Sequence, residues 1–192
     1  MATPDDRRRV LGIDPGTHAV GWGIVERDGP RLTAVAHGTL RAERTLPIEA
    51  RLARIAAGLR DVLTAYEPSE ASIEEAFFGR DAKAAQRLGE GRGALLLVLA
   101  EAGLPVAHYA NNVVKKALTG QGRATKDQVA AMLRRVLGME AAPTSRDASD
   151  ALAIAVCHHQ RPPRAESGGV PPRLAAALAA ARKRDDARKR GR

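Results

Sequence analysis

The order of the apolar segments constrains the fold of this chain more than any other feature of its sequence. Three strand-like segments come first, at residues 10–14, 20–25 and 32–39, and glycine-rich or polar turns join them. After a helical segment, two shorter strand-like segments at residues 71–74 and 105–109 alternate with further helical ones. This order predicts an α/β domain that has a mixed sheet with helices on its faces.

Helical periodicity is clearest in the segment that follows the third strand. Six side chains are spaced four, three, four, three and four residues apart, which forms one buried stripe of an amphipathic helix. These residues are Ile48, Leu52, Ile55, Leu59, Val62 and Tyr66. Pro68 ends the pattern, and further helices are predicted over residues 87–102, 111–119 and 147–159. Residues 125–128 have the form of a capping box and open one more helix.

The positive charge of the chain is concentrated at its C-terminal end. The chain of 192 residues has a net charge of +9, and residues 161–192 hold 10 Lys and Arg against 3 Asp and Glu, a net charge of +7. We predict a charged flexible N-terminus at residues 1–9, one domain at residues 10–160, and a disordered Pro/Gly linker with a basic tail at residues 161–192. Such a tail favours contact with nucleic acid or an acidic partner, although a solvated end has the same composition.

Composition also indicates the compartment. Cys157 is the single cysteine, so an internal disulfide framework is excluded and a reducing environment is favoured. The polar N-terminal residues lack the apolar stretch of a signal peptide, and no apolar run approaches the roughly 18 residues that a membrane span needs. We therefore expect a soluble cytoplasmic protein without membrane association.

Four carboxylates from three separate parts of the chain form the candidate catalytic set. Asp14 ends the first strand-like segment before a Pro-Gly turn, and Glu74 ends the fourth. Asp147 and Asp150 are three residues apart at the start of an apolar helix, which places both on one face. Glu75 is the natural competitor of Glu74, but strand alternation sends the two to opposite faces, so only one of them joins the set.

These carboxylates predict a divalent-metal site. Hard oxygen ligands at the end of a sheet, met by two more from a helix, suit a pair of Mg²⁺ ions, and Mn²⁺ is expected to substitute. Carboxylates that face one another repel strongly without cations, so their convergence by chance would be costly to the fold. Each of the four is therefore predicted to be both a metal ligand and a catalytic residue.

Basic and aromatic residues between the acidic blocks are candidate nucleic-acid contacts. Four basic residues at positions 115–126 favour phosphate contacts beside the metals, although most such clusters are solvated helix faces. Two phenylalanines follow Glu74, and they either plug a strand end or stack on a base near the cut. The predicted DNA-binding residues are Phe77, Phe78, Arg80, Lys83, Arg92, Lys115, Lys116, Arg123 and Lys126.

Taken together, these motifs resemble the RuvC family of Holliday junction resolvases. The resemblance covers about residues 10–160 and rests on LGIDPGT, IEEAFF, GRGA, VKKALTG with ATKDQV, and DASDALAIA. It implies a ribonuclease H-like fold with a five-stranded mixed sheet flanked by helices. The four carboxylates match the acidic tetrad of the family, Lys115 and Lys126 match its active-site lysines, and Phe77 matches its junction-contacting aromatic residue.

The same resemblance implies an activity and partners. The family cuts two opposed strands of a four-way DNA junction in recombination and repair, and the implied two-metal hydrolysis leaves 5′-phosphate and 3′-hydroxyl ends. It also implies a homodimer and a branch-migration helicase complex of the RuvA and RuvB type. A C₂ dimer suits the approximate two-fold symmetry of a four-way junction, because each subunit places one site on one of two like strands.

Three other functions remain open from the sequence. A related ribonuclease H-like nuclease would cut RNA or a hybrid duplex and would not need a dimer. An actin-like or sugar-kinase-like phosphotransferase also has an acidic residue and a Gly-Thr turn after its first strand, but this chain is too short for the second domain of that fold. A junction-binding protein without activity is disfavoured because the whole acidic set is present.

Overall fold

The computed structural model describes residues 8–16, 18–75 and 81–160 of the chain, and they form five strands and five helices. The strands are β1 (Arg8–Asp14), β2 (Ala19–Asp28), β3 (Arg31–Arg41), β4 (Glu70–Glu74) and β5 (Val106–Tyr109). The helices are α1 (Ile48–Tyr66), α2 (Ala82–Glu101), α3 (Asn111–Thr119), α4 (Lys126–Leu137) and α5 (Arg146–Gln160). No helix in these ranges is long and apolar enough to cross a membrane.

The strands form one mixed sheet, as the sequence predicts, and their order in the sheet is β3-β2-β1-β4-β5. The first three strands are antiparallel neighbours, whereas β1, β4 and β5 run parallel to one another. Ile13 of β1 pairs with Ile73 of β4, so Asp14 and Glu74 are the next residues at the same edge of the sheet. The parallel register therefore places two of the predicted catalytic carboxylates side by side.

Helices cover both faces of the sheet, each over its own apolar core. Leu11 and Ile13 of β1 belong to the core beneath α1 and α2. Val10 belongs to the core that α3, α4 and α5 form on the other face, where Leu152 and Val156 of α5 are fully buried. This alternation along β1 is the period of two expected for a strand buried on both sides.

Helix α5 lies unusually close to the sheet because glycines line its path. A Cβ atom on Gly12 would lie 2.0 Å from the main-chain oxygen of Ala151, and one on Gly21 would lie 1.9 Å from that of Asp147. Any side chain at these two positions would push the helix away from β1 and β2. The glycines therefore bring the first turn of α5, with its carboxylates, to the edge where β1 and β4 end.

One predicted helix start differs from the structure, and another is confirmed. Helix α2 begins at Ala82, five residues before its predicted start, because the Asp81 side chain accepts hydrogen bonds from the main-chain N–H groups of Lys83 and Ala84. The capping box that opens α4 is confirmed, with Thr125 and Gln128 bonded to each other's main-chain N–H groups.

Near the end of a helix, His158 and His159 would be interpreted from the sequence as surface or semi-buried residues, but the structure shows that this interpretation is wrong. Each is only 5% exposed, at the C-terminal end of α5. His158 lies 2.8 Å from a carboxylate oxygen of Glu70 and 2.7 Å from the hydroxyl of Tyr109. His159 Nε2 lies 3.0 Å from the main-chain oxygen of Val25. These polar partners let two imidazoles enter the core, which an apolar pattern alone does not indicate.

Candidate active site

Asp14 and Glu74 form the centre of an acidic cluster at the carboxyl ends of β1 and β4. Burial, the nearby charges of Glu74, Asp150 and Asp147, and a hydrogen bond to Glu74 together raise the pKa of the Asp14 carboxyl from 3.8 to about 8. A carboxyl that keeps a proton near neutral pH is the expected response to buried like charges without a counterion. All four predicted carboxylates therefore lie within electrostatic reach of one another.

The first turn of α5 contributes the other two members of the cluster. Burial raises the pKa of Asp150, and the charges of Glu74 and Asp147 act in the same direction, while Lys126 and Lys115 oppose them. The Ser145 hydroxyl lies 2.7 Å from that of Thr39 in β3, and it also accepts a 3.4 Å hydrogen bond from the N–H of Ala148. Ser145 thus ties the start of α5 to the sheet.

Lys115 and Lys126 face the acidic cluster across a small cavity. The cavity has a volume of about 80 Å³ and is lined by both lysines together with Glu74 and Asp150. A second, wider cleft of about 540 Å³ opens beside it, and Glu74, Asn111 and Lys115 lie on its wall. Carboxylates and ammonium groups therefore meet at a concave surface, which is the kind of place where a phosphate ester can be bound.

The structure places the other predicted DNA contacts in different settings. Lys116 is exposed in α3, Arg123 is exposed between α3 and α4, and Lys83 is exposed in the first turn of α2. The guanidinium of Arg92 is half-buried and donates to the main-chain oxygen of Glu74 and contacts the ring of His108. Phe77, Phe78 and Arg80 lie outside the described residues. Contact of these residues with DNA stays a prediction.

Sequence reasoning missed one polar residue in contact with the cluster. Asn111, the first residue of α3, donates a 2.7 Å hydrogen bond from its side-chain amide to Oε1 of Glu74. An asparagine at a helix start is ordinarily read as a helix-capping or turn residue, so its residue type gave no signal. The one available signal was its position, two residues after a strand that ends beside Glu74.

The chemistry of the donor set fits a hard divalent cation. In the described part of the chain, no three Asp, Glu, His or Cys side chains are arranged to hold one ion as they stand. The cluster nevertheless offers several carboxylate oxygens, and burial with mutual repulsion makes Asp14 hold a proton that a cation would displace.

Comparisons with known proteins identify relatives over almost the whole described region. The family model described as "Crossover junction endodeoxyribonuclease RuvC" matches residues 10–158. The protein of that name from Rhodospirillum rubrum is 49% identical over 150 residues, covering 78% of this chain and 88% of the relative. The one from Chloroflexus aggregans is 44% identical over 162 residues, covering 84% of this chain and 99% of the relative.

Solved structures agree with the sequence relatives. Thermus thermophilus RuvC in complex with a Holliday junction substrate is 37% identical, with a TM-score of 0.75 over 79% of this chain and 93% of that one. The yeast mitochondrial Holliday junction resolvase is 13% identical with a TM-score of 0.58 over 80% of this chain, which supports the shared fold alone. The predicted ribonuclease H-like fold is confirmed, and the chain belongs to the RuvC family of crossover junction endodeoxyribonucleases.

Proposed function

We propose that this chain resolves four-way DNA junctions in recombination and repair by paired, symmetric nicks. The observation that carries the proposal is the acidic cluster of Asp14, Glu74, Asp147 and Asp150 at one edge of the sheet, faced by two lysines, in a member of the RuvC family. The product ends would be a 5′-phosphate and a 3′-hydroxyl. The activity is that of a divalent-metal-dependent endonuclease.

The four carboxylates would hold two Mg²⁺ ions, with Mn²⁺ able to substitute. When bound, such ions supply an activated water and stabilise the leaving 3′ oxygen of the cut strand. The buried Asp14 carboxyl would give up its proton as the cations bind, because the added positive charge reverses the effect of its acidic neighbours. The glycine-lined contact of α5 with β1 and β2 keeps Asp147 and Asp150 close to the strand ends while this happens.

Lys115 and Lys126 would act on the scissile phosphate. Both line the cavity that also contains Glu74 and Asp150, so they would add positive charge where negative charge grows in the transition state. Lys116 and Arg123 would contact phosphates farther along the bound strand. Lys83, Arg80 and Arg92 complete the proposed basic surface, and Phe77 or Phe78 would stack on a base near the cut.

A homodimer is part of this proposal. In the residues that the structure describes, one chain contributes this one acidic cluster, whereas resolution of a junction needs two opposed strands to be cut. A C₂ dimer would place two equal sites on the two like strands of an approximately two-fold junction. We further propose that residues 10–160 form the nuclease domain, that residues 161–192 form a basic tail that strengthens non-specific DNA binding, and that the protein works in the cytoplasm with a branch-migration helicase of the RuvA and RuvB type.

One experiment tests the proposal directly. The full chain is incubated with a synthetic four-way junction, labelled on one strand at a time, in Mg²⁺ or in EDTA. We expect Mg²⁺-dependent nicks at symmetry-related positions of two opposed strands, with no cleavage of a linear duplex of the same sequence. Cleavage of an RNA–DNA hybrid without cleavage of the junction would instead assign the chain to a hybrid-specific nuclease.

A further inference from the structure

The main chain at Glu74 is fixed from two sides. Glu74 pairs with Tyr109 across the parallel β4–β5 ladder, and the N–H of the next residue, Glu75, donates a 2.9 Å hydrogen bond to the oxygen of Tyr109. The guanidinium of Arg92 in α2 donates to the main-chain oxygen of Glu74. With the backbone held in this way, the remaining freedom of Glu74 lies in its side-chain torsions.

Asn111 restrains those torsions. Its side-chain nitrogen donates a 2.7 Å hydrogen bond to Oε1 of Glu74. Asn111 lies two residues beyond Tyr109, the strand partner of Glu74, so the register of β5 brings it there. Val114 and Leu118 anchor the same helix in the core, with 7% and 4% of their surface exposed. The Asn111 amide is therefore held by a helix that is itself packed into the core.

The chemistry of the donor suits a residue that orients a metal ligand. An amide N–H is neutral, so it occupies one acceptor position of the carboxylate without cancelling its negative charge. A carboxylate has about four acceptor positions, and one such bond leaves the others available to a cation. A lysine or arginine at position 111 would instead form an ion pair and compete with the cation for Glu74.

We propose that Asn111 is a positioning residue that orients the Glu74 carboxylate for divalent-cation binding. This proposal rests on the proposed function, which identifies the reaction for which the cation is needed. Asn111 is exposed, so its hydrogen bond contributes little to folding, and its removal isolates the orienting effect. Loss of a residue that hydrogen-bonds to a metal ligand typically lowers metal affinity or activity about 10–100-fold.

The test compares Asn111→Ala with the parent protein and with Asn112→Ala. Asn112 is the neighbouring residue of the same type on the same helix, and in the described part of the chain its side chain is not a hydrogen-bond partner of Glu74. The first measurement is the affinity of the DNA-free full chain for Mn²⁺. The protein is titrated with Mn²⁺, and electron paramagnetic resonance measures the concentration of the free ion. The second is the Mg²⁺ concentration that gives half-maximal junction cleavage.

We expect Asn111→Ala to weaken Mn²⁺ binding and to raise the half-saturating Mg²⁺ concentration, each by about 10-fold. Cleavage at saturating Mg²⁺ should recover most of the parent rate, because Glu74 itself is retained. The melting temperature in EDTA should stay within about 2 °C of the parent value. Asn112→Ala should bind Mn²⁺ as the parent does.

Equal Mn²⁺ affinity in Asn111→Ala and the parent would overturn the proposal. So would a loss of junction binding in EDTA with unchanged metal dependence, since that result would make Asn111 a DNA contact. If the parent binds Mn²⁺ but cuts no junction, the proposed function fails, while the comparison of Mn²⁺ affinities still decides the role of Asn111.

Discussion

Strands β1 and β4 and helix α5 carry ionisable side chains at both ends of the sheet. At one end opposite charges are paired, whereas at the other end like charges lie close together. At the paired end, where β1 and β4 begin and α5 finishes, Arg8, Glu70 and His158 contact one another. The hydrogen bond from Arg8 lowers the pKa of the Glu70 carboxyl to about 2, against the effect of burial and with help from His158. At the acidic end, burial and like charges raise the pKa of Asp14 to about 8.

The difference separates a stabilising cluster from a functional one. At the paired end each charge has a partner of opposite sign, so the ionised state is favoured in the folded protein. At the acidic end the carboxylates repel one another, and Lys115 and Lys126 line a cavity beside Glu74 and Asp150. Residues that destabilise the fold where a ligand is to bind are typical of functional sites. Substitutions at the acidic end should therefore mainly change activity, and substitutions at the paired end should mainly change stability.

Loss of one carboxylate at the acidic end should have the largest effect on activity. We expect Glu74→Gln or Asp147→Asn to lower junction cleavage by about a thousandfold, which corresponds to about 4 kcal/mol of transition-state stabilisation. Junction binding should be largely retained. The folded protein in EDTA should be as stable as the parent or slightly more so, because each change relieves like-charge repulsion. Single-turnover cleavage and urea denaturation measure the two effects.

A control variant lies next to Glu74 in the sequence. Glu75 is exposed and lies beyond the end of β4, so Glu75→Gln should cut junctions at nearly the parent rate. A Glu74→Gln protein that cuts at nearly the parent rate in Mg²⁺ would remove Glu74 from the acidic cluster's chemistry and would weaken the contrast between the two ends.

Loss of one carboxylate at the paired end should affect stability and leave chemistry intact. Glu70 accepts hydrogen bonds from Arg8, and its oxygens lie beside His158, so Glu70→Gln should lower the free energy of unfolding by about 1.5–3 kcal/mol. The rate of cleavage per folded molecule should not change. Urea denaturation at pH 7 measures the loss, and cleavage at 25 °C measures the activity.

The matched control for Glu70 is an exposed ion pair. Arg54 and Glu43 lie 3.3 Å apart, with 60% and 68% of their side chains exposed. Glu43→Gln should therefore change stability by less than about 1 kcal/mol, as is usual for surface pairs. An equal effect of Glu43→Gln and Glu70→Gln would show that the paired end is an ordinary surface feature.

The sequence predicted most of the elements because their patterns are local. The stripe of α1, the capping box of α4 and the start of β4 are each encoded by residues close together in the chain. Asp14 and Glu74 could also be assigned to one edge, since parallel strands bring their carboxyl ends together. All four carboxylates of the acidic end could thus be grouped from the sequence, and the resemblance to a family matched the same four residues to an acidic tetrad.

The paired end could not be predicted from the sequence because its residues are far apart in the chain. Glu70 and His158 are separated by 88 positions, and neither residue type alone predicts burial. The same reason explains why Arg92 was predicted as a DNA contact and nothing more, although its guanidinium reaches the main chain of Glu74 across 18 positions. Side-chain hydrogen bonds between distant elements depend on packing, which periodicity does not describe.

A third prediction concerns Phe77, which follows the acidic end in sequence and lies outside the described residues. If Phe77 stacks on a base near the junction centre, Phe77→Ala should lose about 1–3 kcal/mol of that contact and reduce junction cleavage without a comparable loss of stability. If Phe77 instead fills the core, the same change should cost about 3–5 kcal/mol of stability. Cleavage rates and melting temperatures distinguish the two.

Phe77→Trp provides the sharper comparison. A stacking site should accept the larger ring, whereas a packed core should be strained by it. A sharp drop of the melting temperature in both Phe77→Ala and Phe77→Trp would exclude the stacking role. Phe78 is expected to give the core-like result, so it serves as the internal control for Phe77.

The last prediction is a pH dependence of stability that has opposite signs at the two ends. Asp14 keeps its proton in the folded protein up to a pKa of about 8, whereas the unfolded chain loses it near the ordinary value of 3.8. Between these values the folded state binds more protons, so this residue makes stability fall as pH rises. Asp14→Asn should therefore stabilise the protein in EDTA by an amount that grows from pH 5 to pH 8, as measured by melting temperature.

His159, which lies beside the paired end, should act in the opposite direction. Burial, together with the charges of Arg8 and Arg27, lowers its pKa from 6.5 to about 4, despite the hydrogen bond to Val25. Between pH 6.5 and 4 the unfolded chain binds the extra proton, so the stability that neutral His159 provides is lost as pH falls. His159→Gln should flatten this acid-side decline, and Asp14→Asn should leave it in place. If the cation binds at the acidic end as proposed, a saturating divalent cation should abolish the advantage of Asp14→Asn at pH 8 while leaving the His159 effect unchanged. If Mg²⁺ altered both pH effects equally, the two ends would be coupled, and the separation of a stabilising cluster from a functional one would not hold.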